Sequence, residues 1–369
     1  MFKHLIEKPA IVLDEDRAKN NIRIMADKVR KTGARFRPHF KTHQNIKIGQ
    51  WFKDAGVNEI TVSSLGMAEY FSGSWNDITI AFPVNIREII KINKLGKKIK
   101  LNLLVESEFV IRFLENNLQF SSEIWIKVDT GYKRTGVIWD DFQSLKKLVK
   151  QIENSKNMLF KGILTHAGHS YKAKSKEEIK VIYFDSFEKL KKIRDFLISE
   201  CNCRAEISFG DTPCCSVIDD FEGMDEIRPG NFVFYDISQM EIGSCTENEI
   251  AAVIACPVVA KSEKRGEIVI YGGAVHLSKD FILNDKDEKI FGYVTNFKEN
   301  GWGGINKSNF VSSVSQEHGI VKISKDNFDK YQIGDIIAVL PVHSCLAVNL
   351  LMDFVTLKGE FIKKFDTIL

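Results

Sequence analysis

The sequence lacks a hydrophobic run long enough to cross a membrane. Its longest uncharged apolar stretch, Ile250–Ala260, has eleven residues and includes a proline, whereas a spanning helix needs about 20 apolar residues. The first sixteen residues carry charges at positions 3, 7, 8, 14, 15 and 16, which leaves no apolar core for a secretory signal peptide. We therefore expect a cytoplasmic protein that does not enter a membrane.

The sequence also lacks an excess of charge, a disulfide framework and a dinucleotide-binding fingerprint. Its 52 Lys and Arg residues nearly balance 49 Asp and Glu residues, so a nucleic-acid partner is not indicated. Seven cysteines, an odd number without regular spacing, predict reduced thiols and leave room for a metal ligand. No Gly-x-Gly-x-x-Gly follows the first predicted strand, which argues against a Rossmann-type domain.

What the first two-thirds of the chain contains is an alternation of strand-like runs with amphipathic helical segments. Eight such units in about 220 residues favour a (β/α)8 TIM-type barrel over an open doubly wound sheet. We predict this barrel over residues 15–242. Its expected strands are Ala34–Lys41, Glu59–Ser64, Asp77–Pro83, Lys98–Glu106, Ser122–Thr130, Leu159–His166, Arg204–Asp211 and Glu226–Asp236.

From about Gly243 the pattern changes to successive strands with turns between them, which predicts an all-β domain over residues 243–369. Residues 1–14 include a strand-like segment, Ala10–Asp14, which we expect to pair with that domain. The strands expected in the domain itself are Ala251–Lys261, Glu267–Tyr271, Ile290–Thr295, Phe310–Val314, Gly319–Ile323 and Ile336–Pro341.

Lys41 points to a reaction type. It lies at the end of the first predicted barrel strand, where reactive groups of this fold are found. Burial of an amine is costly and lowers its pKa, which suits a lysine that forms a Schiff base. A lysine whose amine simply reaches solvent at the strand end is the alternative.

The segment Gly210–Ser216 follows the seventh predicted strand and contains small residues, Thr212 and a proline at an expected helix start. Such a segment exposes backbone N–H groups to an anion, although a tight turn without a ligand would have the same composition. A phosphate here, with a lysine across the barrel mouth, predicts pyridoxal 5′-phosphate as the cofactor.

His343 and Cys345 are two residues apart, so both side chains would face the same way on an extended strand. Imidazole and thiolate together favour zinc. A single His-x-Cys pair also occurs without a metal, and the spacing alone leaves both interpretations open.

Eight segments, in this order along nearly the whole chain, carry a family resemblance: PAIVLDEDRAKNNI, RPHFKTH, KVDTGYKRTG, THAGHSY, GDTP, EIRPGNFVFYD, QEHG and PVHSC. They resemble the fold-type III pyridoxal-phosphate enzymes, which are the alanine-racemase-like barrel group, and within it the D-threonine aldolase and D-serine dehydratase family. The resemblance implies an N-terminal barrel, a C-terminal β domain and attachment of the cofactor to Lys41.

The resemblance also implies roles for particular residues. Arg134 would lie near the cofactor, His166 against the pyridine ring, and Arg228 beside the pyridine nitrogen. His343 and Cys345 would hold a divalent metal, zinc or manganese, with water or substrate completing its coordination. The residues expected around the ring edge and the phosphate are Tyr171, Gly210, Thr212, Gly230 and Asn231.

These expectations together predict a lyase that acts on small D-β-hydroxy amino acids and, like similar enzymes, forms a homodimer. An aldolase would break the Cα–Cβ bond, with His169 as a candidate base for the hydroxyl. A dehydratase would use Lys41 to remove the α-proton while the metal assists loss of the hydroxyl. An amino-acid racemase, which would lack the metal, and a non-catalytic cofactor-carrying protein are the alternatives. His276 and His318 could join the site or be hydrogen-bonded histidines of the β domain.

Overall fold

Residues 2–351 and 353–363 are described in a computed structural model, and they divide into two units. The barrel unit is Arg23–Gly230. The β unit combines the N-terminal residues 2–22 with residues 231–363. The first strand, β1 (Ala10–Leu13), and part of the first helix, α1 (Glu15–Lys31), therefore belong to the β unit.

The barrel unit is built on a parallel sheet. Its strands are β2 (Arg35–Phe36), β3 (Ile60–Val62), β4 (Asp77–Pro83), β5 (Lys100–Val105), β6 (Ser122–Asp129), β7 (Val137–Ile138), β8 (Met158–Thr165), β9 (Glu206–Phe209) and β10 (Glu226–Ile227). Between them lie the helices α2 (Ile46–Asp54), α3 (Leu65–Phe71), α4 (Ile89–Gly96), α5 (Glu108–Asn117), α6 (Phe142–Glu153), α7 (Lys176–Cys201) and α8 (Thr212–Val217).

Eight strands pair in the order β2-β10-β9-β8-β6-β5-β4-β3, and the short β7 pairs with β6. The two ends of this order meet at a parallel bridge between His39 and Thr61, where Phe40 N–H donates to the Thr61 carbonyl at 2.8 Å. The TIM-type fold class is thus confirmed.

Two of the predicted barrel strands are much shorter than expected. Extended pairing of the first strand stops at Phe36 apart from the bridge at His39, and β10 ends at Ile227, after which Asn231–Val233 forms a 3-10 turn. The predicted strand Glu226–Asp236 was therefore wrong beyond its first residues. Arg228-Pro229-Gly230 leaves the sheet because proline has no N–H to donate to a strand ladder.

Most barrel helices begin at a side chain that accepts a backbone N–H, which satisfies donors that the first helical turn leaves unpaired. Asn45, Ser64, Ser107, Asp141, Ser175 and Asp211 act in this way before α2, α3, α5, α6, α7 and α8. Each cap marks the point where the loop after a strand ends and the next helix begins. The caps therefore define the ends of these loops at the C-terminal end of the barrel.

A ring of charged side chains lies at the opposite, N-terminal end of the barrel strands. Each of the eight principal strands contributes one residue at or near its start, and oppositely charged residues among them form ion pairs with N–O distances from 2.5 to 3.4 Å. Arg37 adds bonds to Glu226 at 2.7 Å and to Asp77 at 2.6 Å. We call the following residues the charge ring: Arg35, Glu59, Asp77, Lys100, Glu123, Lys161, Glu206 and Glu226.

The β unit is mainly antiparallel. Its further strands are β11 (Ala252–Ser262), β12 (Glu267–Tyr271), β13 (Ile282–Leu283), β14 (Lys289–Ile290), β15 (Gly292–Lys298), β16 (Gly301–Trp302), β17 (Phe310–Val314), β18 (His318–Lys322), β19 (Ile336–Pro341), β20 (Asp353–Thr356) and β21 (Phe361–Lys363). Its short helices are α9 (Ile237–Glu241), α10 (Ala274–Leu277), α11 (Lys325–Phe328) and α12 (Ser344–Leu351).

Six of these strands close on one another in the order β11-β12-β18-β17-β15-β19, and β19 returns to β11. The strand β1 pairs antiparallel with β11, from Ala10–Ala255 to Leu13–Ala252, and parallel with β20. Ile11, Val12 and Leu13 are fully buried in this arrangement. All seven cysteines are free. Across residues 2–351 and 353–363, no helix has the length and apolar character that spanning a membrane requires.

Candidate active site

Lys41 lies in the turn that follows β2, at the C-terminal end of the barrel. Its backbone N–H approaches His39 Nδ1 at 3.3 Å, and its carbonyl accepts a hydrogen bond from the Gln44 side chain at 2.9 Å. The lysine amine itself has no hydrogen bond or ion pair with any residue in the described part of the chain. An amine without a protein partner, beside buried imidazoles, is available to a ligand.

Two histidines flank this lysine, and both have a pKa well below the usual value. Burial is the main cause, and the positive charge of Lys41 lowers both values further. His166 follows β8, and its Nδ1 lies 2.7 Å from the carbonyl oxygen of Gly210. Because a carbonyl oxygen can only accept a hydrogen bond, Nδ1 of His166 carries the proton. Nε2 of the neutral ring therefore keeps its lone pair and can act as an acceptor. Sequence reasoning did not single out His39, although its two-residue spacing from Lys41 offered a signal.

Arg228 is buried, with 4% of its surface exposed. Its Nε donates to the Ser208 hydroxyl at 2.5 Å and its Nη2 to the Thr165 carbonyl at 2.5 Å. No hydrogen bond to a described residue uses Nη1. Burial lowers the pKa of Arg228 to about 10, against the opposing charge of Glu226, so the guanidinium stays positive at neutral pH.

Gly210, Thr212 and Gly230 form a crowded group beside Arg228. A Cβ on Gly210 would lie 2.8 Å from the Arg228 carbonyl oxygen, and one on Gly230 would lie 2.9 Å from the His39 carbonyl oxygen. Only glycine permits these approaches. Thr212 is fully buried, its hydroxyl accepts from Gly230 N–H at 3.3 Å, and its own N–H donates to the Tyr171 hydroxyl at 3.3 Å.

Arg134 and Lys127 bring further positive charge to this end of the barrel. Arg134 is exposed, and its guanidinium lies 4.8 Å from the centre of the Tyr132 ring. Lys127, on β6, is 6% exposed. Burial, followed by the charges of Arg228 and Arg134, lowers its pKa to about 7. Sequence reasoning missed Lys127, since the KVDTG segment gave no sign that the lysine faces inward.

His169 has a different environment from His166. It lies in the 3-10 turn Gly168–Lys172, packed over Gly131. Burial and then the charge of Lys189 lower its pKa, while Asp185 and Asp129 act in the opposite direction. Its Nδ1 is buried without a hydrogen-bond partner in the described chain. The charged groups that shift the pKa of His169 therefore lie on α7 and at the end of β6, whereas Lys41 shifts the pKa of His166.

The pair His343 and Cys345 lies in the β unit, but its local structure is not the extended strand that we expected. The strand β19 ends at Pro341, and Cys345 is in the first turn of α12. The turn from strand to helix still leaves the two side chains in hydrogen-bond contact. Burial lowers the pKa of His343, but Cys345, Asp236 and Asp280 outweigh it and raise the value to about 9.

Two side chains hold this pair from behind. The Asp280 carboxylate lies 3.1 Å from His343 Nδ1, and the Asn231 amide donates to Cys345 Sγ at 3.4 Å. The same amide donates to Asp236 at 2.7 Å. The Asn231 side chain thus contacts the His343 and Cys345 pair through Cys345. Within residues 2–351 and 353–363 there is no group of three His, Cys, Asp or Glu side chains arranged to hold a metal ion.

His276 and His318 lie at one edge of the β unit. His276 Nε2 is 3.6 Å from the Glu317 carboxylate, its Nδ1 is 3.2 Å from Gly273 N–H, and its ring meets Tyr271 edge-on. His318 is opposite Tyr271 in the pairing of β12 with β18. The contacts of His276 are those of a histidine that stabilises a local turn, whereas His318 is an exposed residue of β18.

Two protein families match this chain. The alanine racemase N-terminal domain matches residues 13–237, and the serine dehydratase domain matches residues 251–357. The first match covers more than half of the chain and the whole barrel. The second covers most of the β unit, including His343 and Cys345.

Curated relatives and solved structures match over nearly the full length. A D-serine dehydratase from Dictyostelium discoideum is 27% identical, over 96% of this chain and 94% of its own. A D-threo-3-hydroxyaspartate dehydratase from Delftia sp. (strain HT23) is 26% identical, over 92% and 91%. The metal-free form of a cysteine-to-alanine variant of a D-threo-3-hydroxyaspartate dehydratase superposes with a TM-score of 0.91 at 24% identity, covering 99% of each chain.

Proposed function

Because the chain belongs to the alanine racemase N-terminal domain family of fold-type III pyridoxal-phosphate enzymes, we propose that it is a pyridoxal-phosphate- and metal-dependent lyase of D-β-hydroxy amino acids. The dehydratase reaction is the first choice, since the serine dehydratase domain follows the barrel. The observation that carries the proposal is the Lys41 amine, which no described residue binds, beside two neutral histidines, in a chain that also pairs His343 with Cys345.

The barrel residues fit pyridoxal phosphate. The Lys41 amine is available for covalent attachment, and Nη1 of Arg228 is a donor without a described acceptor, as a partner of the ring nitrogen requires. Gly210 and Gly230 allow backbone to come close where a phosphate would lie, with the Thr212 hydroxyl beside them. We assign His166 to the ring face, Arg134 to the cofactor's vicinity and Tyr171 to the phosphate side. Asn231 follows Gly230 directly, and its backbone N–H is the group that we assign to the phosphate.

When bound, pyridoxal phosphate supplies an electron sink for charge that develops at the substrate's Cα. Lys41 is the base that we assign to the α-proton, because its amine is not held by another described residue. His166 keeps its proton on Nδ1 toward Gly210 and stays neutral, so it adds no second positive charge. Arg228 remains cationic and fixed by Ser208 and Thr165.

The donor set of the β unit fits a divalent metal, zinc before manganese. Thiolate and imidazole are the ligands that zinc prefers. Because Asp280 occupies the Nδ1 side of His343, Nε2 is left as the ligand nitrogen, and a carboxylate behind a ligating imidazole is the usual supporting contact. The metal's chemistry would be to polarise the substrate's β-hydroxyl as a leaving group. His169 is the base that we assign to the hydroxyl should the aldolase reaction occur instead.

The product of turnover tests the proposal. Purified enzyme loaded with pyridoxal phosphate and zinc is incubated with D-serine, D-threonine and D-threo-3-hydroxyaspartate, and keto acid, ammonia, glycine and aldehyde are measured. Keto acid with ammonia identifies a dehydratase, and glycine with aldehyde an aldolase. Full activity in chelator, or interconversion of D- and L-isomers alone, would favour a racemase. Cofactor binding without any turnover would favour a cofactor-carrying protein. Light scattering of the same sample tests the homodimer.

A further inference from the structure

A short chain of buried hydrogen bonds links Arg228 to the charge ring at the far end of the barrel. The Ser208 hydroxyl donates to Glu226 Oε1 at 2.6 Å and accepts from Arg228 Nε at 2.5 Å. The other oxygen of that carboxylate, Oε2, accepts from Arg37 Nε at 2.7 Å. Glu226 and Ser208 are completely buried, so these contacts are not exposed to bulk solvent.

The charges of this region balance only when Arg228 is included. Two arginines form ion pairs with Glu226. They are Arg35, on β2, and Arg37, just after that strand. The charge ring with Arg37 nevertheless contains five carboxylates and four cations. Arg228 is the fifth cation, with its Nε 3.9 Å from Glu226 Oε1. A buried carboxylate needs such a partner because an unpaired buried charge is strongly unfavourable.

We propose that Ser208 and Glu226 are positioning residues for the cofactor: through the Ser208 hydroxyl, the charge ring fixes the Arg228 guanidinium so that its Nη1 points to the ring nitrogen. The proposal rests on the proposed function for the cofactor itself. A guanidinium is a rigid planar fork. Once Nε is fixed by Ser208 and Nη2 by Thr165, the direction of Nη1 has no remaining freedom.

The arrangement assigns a task to a buried serine whose hydroxyl bonds to Glu226 and Arg228. Without the hydroxyl, Arg228 Nε loses its acceptor and Glu226 Oε1 loses its donor, and the two charged groups are left to approach each other across 3.9 Å. The guanidinium would then turn toward Glu226 and carry Nη1 with it. The contact with the ring nitrogen should weaken, whereas contacts with the phosphate and with Lys41 should not.

The test compares pyridoxal phosphate with its 1-deaza analogue, in which a C–H replaces the ring nitrogen. Both are titrated into apo-protein, and dissociation constants are measured by fluorescence for wild type, Ser208→Ala and Ser208→Thr. Ser186→Ala is the matched control, because Ser186 is also a buried serine but its hydroxyl has no hydrogen-bond partner in the described residues. Visible absorption spectra are recorded for every complex.

Ser208→Ala should weaken binding of pyridoxal phosphate on the order of tenfold, the scale of a buried charge-assisted hydrogen bond, and leave the deaza analogue's affinity unchanged. Ser208→Thr should restore the wild-type value, and Ser186→Ala should have no effect. Equal loss for both ligands would mean that Ser208 acts only on the fold and would overturn the proposal, as would unchanged binding in Ser208→Ala. A wild-type protein that binds neither ligand would instead refute the proposed function.

Discussion

Lys41 and Lys127 both lie close enough to His166 to lower its pKa, yet they are held differently. Lys127 is buried on β6 between the charges of Arg228 and Arg134, with a pKa of about 7. Lys41 lies in a turn outside the sheet, and no described group binds its amine. The lowered pKa leaves the Lys127 amine partly neutral and therefore chemically reactive, so Lys127 is the rival of Lys41 for attachment of a carbonyl cofactor.

We predict that Lys41 is the lysine that forms the covalent bond. Lys41→Ala should abolish the visible absorbance of covalently attached pyridoxal phosphate and leave only noncovalent binding. Lys127→Met is the matched control and should keep that absorbance. Borohydride reduction followed by peptide mapping should recover the cofactor on Lys41 alone, and recovery on Lys127 would contradict the assignment.

Among single residues, those next to a recognisable segment were predictable and those defined by burial were not. Lys41, His166 and Arg228 each belong to a segment that the sequence singled out, and all three lie close enough to His39 to lower its pKa. Lys127, Ser208 and Asp280 gave no comparable signal. Their roles depend on which side of a strand or turn faces a partner far away in the sequence, as with Ser208 and Glu226, eighteen residues apart.

At the scale of elements, the charge ring joins all eight principal strands of the barrel. Arg37, just after β2, adds a further cation to this ring; its side chain is 2% exposed, and it binds Glu59, Asp77 and the fully buried Glu226. Burial raises the pKa of Asp77 and Glu226, but the charge of Arg37 more than offsets this and lowers both values below the usual range. Groups of this kind stabilise the fold above their unfolded pKa, and the contribution is lost as the pH falls through the folded value.

We predict that Arg37→Met lowers the free energy of unfolding by about 3–5 kcal/mol at pH 7.5, because it leaves buried carboxylates without their cation. The difference from wild type should shrink near pH 4, where those carboxylates take up protons in the variant. Urea unfolding of the apo-protein at both pH values measures this. Arg112→Met removes an exposed helical ion pair with Glu108 and should cost less than about 0.5 kcal/mol. A loss of similar size in the two variants would contradict the prediction.

The order and type of the barrel elements followed from the sequence, whereas the ends of two of them did not. The strands β4 and β6 begin where the pattern of β-branched and aromatic residues predicts, at Asp77 and Ser122. The predicted eighth strand failed because its buried apolar run Phe232–Phe234 forms the 3-10 turn Asn231–Val233 and the turn residue that follows it. The strand β19 has its predicted bounds, Ile336–Pro341, but the extended conformation considered for His343 and Cys345 was wrong, since α12 begins at Ser344. A short apolar run is compatible with either a buried strand or a buried helical turn, and tertiary contacts decide which of the two forms.

At the scale of the whole molecule, most residues assigned to the cofactor belong to one unit of the chain and both residues assigned to the metal belong to the other. Lys41, Thr212 and Arg228 are in Arg23–Gly230, whereas His343 and Cys345 are in the unit that also begins its second segment with Asn231. Removal of the metal should therefore leave the barrel unit's contacts with the cofactor intact. The separation makes the two proposals independently testable in one protein.

We predict that Cys345→Ala abolishes lyase turnover and loses bound zinc but keeps the visible absorbance of the attached cofactor. The reason is that the metal would act on the substrate's hydroxyl and not on the cofactor. Metal content by atomic emission and absorbance are measured on the same sample. Cys256→Ala, a buried cysteine of β11 without a described polar partner, is the matched control and should retain both zinc and turnover. A Cys345→Ala protein with full turnover would refute the metal site.

The pairing of β1 with β11 and β20 has a consequence for synthesis of the chain. Its partners lie more than 230 residues later, the last of them at Asp353–Thr356. On the ribosome, where an N-terminal domain ordinarily folds first, this strand must wait with Ile11, Val12 and Leu13 exposed until almost all of the chain has emerged. Closing so large a loop also slows folding, because its entropy must be lost before the contacts form. The interval in which this strand is accessible to chaperones, and to pairing with another chain, is thus set by the rate of translation.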